Sequence, residues 1–484
     1  MKRILFAMIL AMTSVAGSAS GQTYMPGYVG PMREPAVGLV TPVAYMQPSG
    51  SDAGCVGMGC ADGGCAVGCD GSGSGSPCGD CGPLCGDCGT ICGGACGGRL
   101  GGRGGCGTGL FSGGGLFGAG GLFGPGTCRP SRIWFDGEYL LWWNKERTLP
   151  PLVTTSPDNT LIQDAGVLGV PGTAILFGNS QIGEDSDQGY RYGGGLWLNR
   201  DQTFGVGARY YRLDEEAINF AIASSGSPIL ARPFFDTQTN DQTSLLVAYP
   251  SLYSGSVGAT AANELSGGDL YLRVLLLSGY GNRLDLIGGY DYSNIDDRIH
   301  VNHSVLFNDP QGRFPIGTTL VSSDRFDVEN SFRGGSVGFM SESEDGCVTW
   351  RLLAKIAFGN MNQNVRIRGT TTTTAPNNGG VAVNDTEGLL ALPTNIGNYE
   401  QDQFAVMPEA GVSAGIKLTK QLQLTVGYSF LYWSRVQLAQ DAIDTTINTS
   451  QFAGNVSGTP RPQFSFDDTS FWVQGLNFGL NLRY

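Results

Sequence analysis

The chain has 484 residues, a formal net charge of −13, 15% charged and 10% aromatic residues, and 77 glycines. An acidic balance argues against general nucleic-acid binding, and the aromatic content argues against a chain without packed structure throughout. The length leaves room for more than one unit.

Lys2 and Arg3 open the chain, an apolar run follows from Ile4 to Val15, and small residues continue through Ala19, Ser20 and Gly21. This pattern predicts a secretory signal peptide over 1–21, too short in its apolar part for a retained span. No later run is apolar enough for a transmembrane helix. The mature chain is therefore expected to be exported, either soluble or crossing an outer membrane as strands.

Residues 22–130 read as a Gly/Cys-rich, low-complexity periplasmic arm without a packed core. Twelve of the 13 cysteines fall between Cys55 and Cys128. Cys78, Cys81, Cys85 and Cys88 stand at C-x2-C-x3-C-x2-C, a spacing that suits either a thiolate metal site or disulfides. An oxidising compartment favours disulfides, within or between molecules, and no metal is assigned. Three Gly-Leu-Phe repeats follow at 109–123 and read as low-complexity linker.

From residue 131 the texture changes to long alternating segments, the mark of two-faced strands. In RIWFDGEYLLWWNK, Ile133, Phe135, Tyr139, Leu141 and Trp143 oppose Trp134, Asp136, Glu138 and Trp142. Further segments place Arg191, Arg209, Asp269, Arg273, Asp285, Arg351, Lys355, Glu409 and Lys417 on polar faces. The last, FWVQGLNFGLNLRY, sets Trp472, Leu476, Phe478, Leu480, Leu482 and Tyr484 against Gly475, Asn477, Gly479, Asn481 and Arg483. Ten such segments, about 11 residues or longer, match tilted strands that cross a bilayer. A soluble sandwich also alternates, but with shorter strands and without full charges on one face.

Connections at 199–202, 278–282, 341–346 and 419–421 are short; those at 147–187, 214–264, 293–329, 360–402 and 434–470 are long. Short turns on one side and long loops on the other predict an all-β, antiparallel outer-membrane β-barrel over 131–484, with about 10 strands, or 12 if a loop hides a hairpin. Aromatics near strand ends, among them Trp142, Trp143, Tyr428, Tyr432, Trp433 and Tyr484, are expected to form interface girdles.

The stretches FDGEYLLWW at 135–143, PEAGVSAGIKLTKQLQLTVGYSFLYWSRV at 408–436 and NFGLNLRY at 477–484 resemble the opening and closing strands of the planctomycete beta-barrel porin family. The resemblance implies an outer-membrane barrel, and it transfers no catalytic, cofactor or binding residue. The terminal Tyr484 resembles the aromatic signal read by barrel-assembly machinery.

The expected function is a porin-like channel for small solutes or ions in the bacterial outer membrane. The alternative is a structural surface barrel without an open pore, cross-linked through its arm. Expected partners are outer-membrane lipid, the assembly machinery at the last strand and cell-wall components at the arm, with no nucleic acid and no cofactor. The expected lumen charges are Asp136, Glu138, Arg191, Arg209, Asp269, Arg273, Asp285, Arg351, Lys355, Glu409, Lys417 and Arg483. They either brace the interior as ion pairs or select the solute. Cys347 lies in a short turn, and a Cys128–Cys347 disulfide would tie the arm to the barrel. His300 and His303 are placed in a solvated loop, without a metalloprotease or nucleophile motif.

Overall fold

The computed structural model describes residues 131–182, 186–312, 314–453 and 456–484. Ten strands form a closed antiparallel ring: β1 Ile133–Asn144, β2 Asp187–Trp197, β3 Phe204–Leu213, β4 Tyr253–Gly279, β5 Asn282–Phe307, β6 Thr319–Asp345, β7 Val348–Thr374, β8 Gly397–Lys417, β9 Leu422–Val436 and β10 Thr469–Arg483. Each strand pairs with its neighbour in sequence, and β1 pairs with β10 in a register that sets Trp134 beside Arg483 and Asn144 beside Val473. Arg132 and Ile133 donate their amides to the Tyr484 carbonyl, which finishes the seam.

Alternation decides which side meets lipid. Leu476, Phe478, Leu480 and Leu482 are exposed outward, while Asn477 and Asn481 are buried within. The outward girdle on the long-loop side is made by Tyr139, Trp143, Tyr192, Tyr210, Tyr290, Tyr292 and Phe404. Trp142 and Trp433, expected in that girdle, are instead fully buried inside the barrel. Both sit at inward positions of the two-residue period, and the period overrides their nearness to a strand end.

Much of the expected external loop is strand. The strands β4, β5, β6 and β7 each run 26 or 27 residues, more than twice the length of β1, β2 or β3. Their outward faces change from apolar to polar along the way. Tyr292 is followed outward by Asn294 and Asp296, Phe358 by Asn360, Asn362 and Asn364, and Phe404 gives way to Asp402 and Glu400. That border marks where the strands leave lipid and rise into water. A short strand, Glu216–Ser224, extends this wall by pairing with the outer half of β4.

A second sheet, formed by Val153–Thr155, Ala174–Phe177, Leu230–Asp236, Asp241–Ala248 and Thr446–Ile447, packs inside the wall. Val257, Ile299, Val301, Phe326, Val328 and Ile367 from the wall meet Leu230, Phe234 and Val247 across a buried apolar core. The two sheets are also joined by a buried ionic latch. Arg232 donates from Nη1 to Asp324 at 2.6 Å and lies 3.2 Å from Nδ1 of His303. The other Asp324 oxygen accepts the amides of Leu389, Leu390 and Ala391 at 2.8–2.9 Å, which pins the loop before β8. His303 is thus a core residue at the end of a long strand, and the solvated-loop expectation for it is corrected. Its neighbours Val301 and Val305 are apolar and inward, a signal masked by the polar residues between them.

Burial, with Arg232 beside it, pushes the His303 imidazole down to about 3. A folded value below the unfolded one means that this contribution is intact above about pH 6.5 and declines as pH falls toward 3. Limited proteolysis of the outer layer is expected to accelerate between pH 6 and pH 4, by about 1.4 kcal/mol of local stability per pH unit. His303→Gln should flatten part of that slope. A second variant, Asp324→Ala, leaves Arg232 without its carboxylate and three amides without an acceptor. It should open the loop at 386–396 to protease at a cost of about 3–5 kcal/mol.

Candidate functional site: the barrel lumen

The inward faces of the membrane strands carry charges of both signs, and the ring brings them within reach of one another. Nearest the short turns, Arg273 on β4 pairs with Asp285 at 2.6 Å and Glu342 at 3.0 Å. Arg283 shares Asp285 at 2.7 Å, and Arg483 on the last strand reaches Glu342 at 2.9 Å. The Arg273 and Arg283 guanidinium groups lie 4.9 and 4.2 Å from the Trp197 ring, where cation–π attraction adds to the pairing. Lys417 pairs with Glu344 at 2.6 Å at the exposed rim.

One level further in, Arg351 on β7 meets Asp136 on β1 at 3.0 Å, with Asn481 as a second donor to the same oxygen. Arg191 is bonded to Glu138 and donates to Ser429 at 3.2 Å. Above these, Arg209 bridges Asp269 and, at 2.8 Å, Glu409. The Lys355 ammonium stands among Asp269, Asp291 and Glu409. Those three carboxylates lie close enough together to hold a metal ion, but Lys355 already supplies the cation there.

Seven cations (Arg191, Arg209, Arg273, Arg283, Arg351, Lys355 and Arg483) face seven carboxylates (Asp136, Glu138, Asp269, Asp285, Asp291, Glu342 and Glu409). Balance of this kind is what burial requires, because an unpaired charge in a narrow interior costs several kcal/mol. A cavity of about 70 Å³ remains between the layers, lined by Asp136, Glu138, Arg191, Arg209, Arg273 and Arg351 among others. That volume holds on the order of five waters.

Toward the outer side the inward faces turn apolar. Leu140, Trp142, Leu265, Ile295, Phe332, Met361, Met407, Trp433 and Phe471 form one buried cluster across the bore. The indoles keep their N–H groups bonded, Trp142 to Asn477 and Trp433 to Ser293, each at 2.7 Å. Inward glycines make room for the rings. A Cβ at Gly195 would stand 2.2 Å from the Trp134 ring, and one at Gly207 would stand 2.6 Å from the Tyr271 ring. Gly195 on β2 and Gly207 on β3 are therefore packing devices for a narrow bore.

Arg283, Asp291 and Glu342 complete the network and are not among the expected lumen charges. Glu342 was read as part of a turn, although β6 continues through it. Arg283 and Asp291 share the alternating polar face of Asp285 in RLDLIGGYDYS. Cys347 is disulfide-bonded. Cys128, its expected partner, and Cys78, Cys81, Cys85 and Cys88 lie outside the described residues.

Residues 134–484 match the beta barrel porin-7 (BBP7) family. No curated protein matches the chain. Among solved structures, the outer-membrane protease OmpT of Escherichia coli is 11% identical, covers 73% of this chain and 97% of its own, and has a TM-score of 0.33. The toluene transporter TodX of P. putida is 9% identical, with coverage of 74% and 91% and a TM-score of 0.16. A FadL homologue of Pseudomonas aeruginosa is 9% identical, with 73% and 90% coverage and a TM-score of 0.19. Likeness of this degree bears on neither substrate nor activity.

Lys355→Met would leave Asp269, Asp291 and Glu409 facing each other with only Arg209 between them. The variant is expected to lose about 3–5 kcal/mol, read as a lower temperature for the heat-modifiable gel shift. Calcium in the millimolar range should recover part of that loss in the variant and leave the wild type unchanged, since a carboxylate cluster freed of its ammonium suits a hard cation.

Proposed function

Since the chain belongs to the beta barrel porin-7 family, we propose that its bacterial outer-membrane barrel is a porin-like channel for ions or very small solutes, constricted by its own paired charges. The inward network of Arg351–Asp136, Arg191–Glu138 and Arg209–Glu409 carries this reading, because it concentrates the charge of the membrane strands around a cavity with room for a few waters. The paired groups act as the selecting surface, and the apolar layer around Trp142 and Trp433 acts as the barrier to water. Passage requires that layer to shift or to wet.

The packed bore also favours a second reading, a structural surface barrel without an open pore. Catalysis is not part of either. His303 is sealed in the outer core, and His300 is 2.8 Å from the Ser323 hydroxyl and stands beside Arg325 on the outward face of β5.

Planar-bilayer recording from the refolded chain separates the two. Small, discrete steps are expected for the wild type. Trp142→Ala with Trp433→Ala should enlarge them, provided the variant keeps its heat-modifiable shift after losing about 3–5 kcal/mol per ring. Asp136→Asn should shift the reversal potential toward anions. Silence from both the wild type and the folded double variant would defeat the channel and leave the structural barrel.

A further inference from the structure

The outward face of β5, β6 and β7 carries four arginines, Arg298, Arg325, Arg366 and Arg368, well above the lipid border, with the acids Asp296 and Glu329 one row nearer the membrane. Strand register places His300, Arg325 and Arg368 side by side in one row, with Arg298, Asp327 and Arg366 in the next row toward the membrane. Arg325 stands directly opposite Arg368, an arrangement that repels unless an anion joins the two. Within the patch, Arg325 is held by Asp327 at 2.8 Å, while Arg298 comes no closer than 3.7 Å to Glu215 and 3.9 Å to Glu264. Arg366 and Arg368 are exposed and make no ion pair among the described residues. A chain with a net charge of −13 does not acquire such a patch from its average composition.

Height and direction identify the partner. His300 follows Tyr292, the last outward aromatic of its strand, by eight residues. At about 3.4 Å per residue and a tilt of about 40°, the row lies about 20 Å above the hydrocarbon. The face belongs to the side of a wall, so it looks along the membrane and not up from it. What stands beside it at that height is the saccharide of lipids anchored in the same leaflet. Outward Asn302, Ser323 and Thr370 lie one row further out and offer hydroxyl and amide groups to sugars.

We propose that this face binds the anionic saccharide of an outer-leaflet glycolipid, with Arg325, Arg366 and Arg368 contacting its phosphate or carboxylate groups. Planar guanidinium groups suit such anions because they donate two parallel hydrogen bonds. The proposal depends on the orientation of the barrel and not on whether the lumen conducts.

The full chain, folded in detergent, is titrated with lipopolysaccharide bearing phosphorylated core sugars, with the same material dephosphorylated, and with its soluble delipidated oligosaccharide. Salt-sensitive binding of the phosphorylated, lipid-anchored form is expected, with the other two much weaker. The triple variant Arg325→Gln, Arg366→Gln, Arg368→Gln should bind about a hundredfold more weakly, at about fivefold per lost charge. Glu329→Gln, on the same face nearer the membrane, should not weaken binding. If the triple variant does not fold, Arg366→Gln and Arg368→Gln are read singly. Unchanged affinity in folded arginine variants, or equal affinity for dephosphorylated material, overturns the proposal. Equal affinity for the soluble oligosaccharide overturns the lipid-anchored partner.

Discussion

Closure of the sheet is the constraint on which the rest depends. In hydrocarbon no water is available to an unpaired amide or carbonyl, so a sheet that spans the membrane must leave no edge. The pairing of β1 with β10 meets that demand, and it ties the two ends of the described chain together. Once ten strands are closed, the bore is narrow, and everything inside it follows from narrowness. Charges have to pair across the lumen, rings have to lie over glycines, and indole N–H groups need partners within the wall. The same ring frees the outer face to be apolar, because each strand has only two sides.

Above the lipid, the requirement lapses and the architecture changes accordingly. Edges are permitted where water can reach them, so the strand Glu216–Ser224 pairs with β4 alone. Stability there comes from a sheet packed against a sheet, with the Arg232–Asp324 pair buried between them. One chain thus follows two rules along single strands. The lower half of β5 is inverted, polar within and apolar without, at Asp285 and Leu286. The upper half is ordinary, apolar within and polar without, at Ile299 and His300.

That inversion explains what was legible in the sequence. The ten strands, the short turns and the closing seam were readable, because lipid-facing residues keep a strict two-residue period through Leu476, Phe478, Leu480 and Leu482. The outer extensions were not, because the polar period of Asn360, Asn362 and Asn364 resembles a loop, and the inward residues that alternate with it, Met361, Gln363 and Val365, include a buried polar one. Inward charges such as Arg209 and Asp269 could be assigned to a face but not to each other. Their pairing is fixed by strand register, which places Asp269 beside Arg209, and by the curvature that carries Glu409 across to the same guanidinium. Trp142 shows the opposite error, where position near a strand end outweighed the parity of its number.

The tall strands are neighbours and the short ones are neighbours, so the ring is level within the bilayer and lopsided above it. Seen from the surface, β4 through β8 raise a screen on one flank, while β1, β2, β3, β9 and β10 end near the rim. In a crowded leaflet such a molecule has a front and a back. Two copies meeting low flank to low flank face each other through their lipid-facing girdles alone, whereas copies meeting screen to screen also present strand above the bilayer to one another. The lateral spacing of these barrels therefore depends on their rotation about the membrane normal, a directionality that a cylinder of uniform height does not possess.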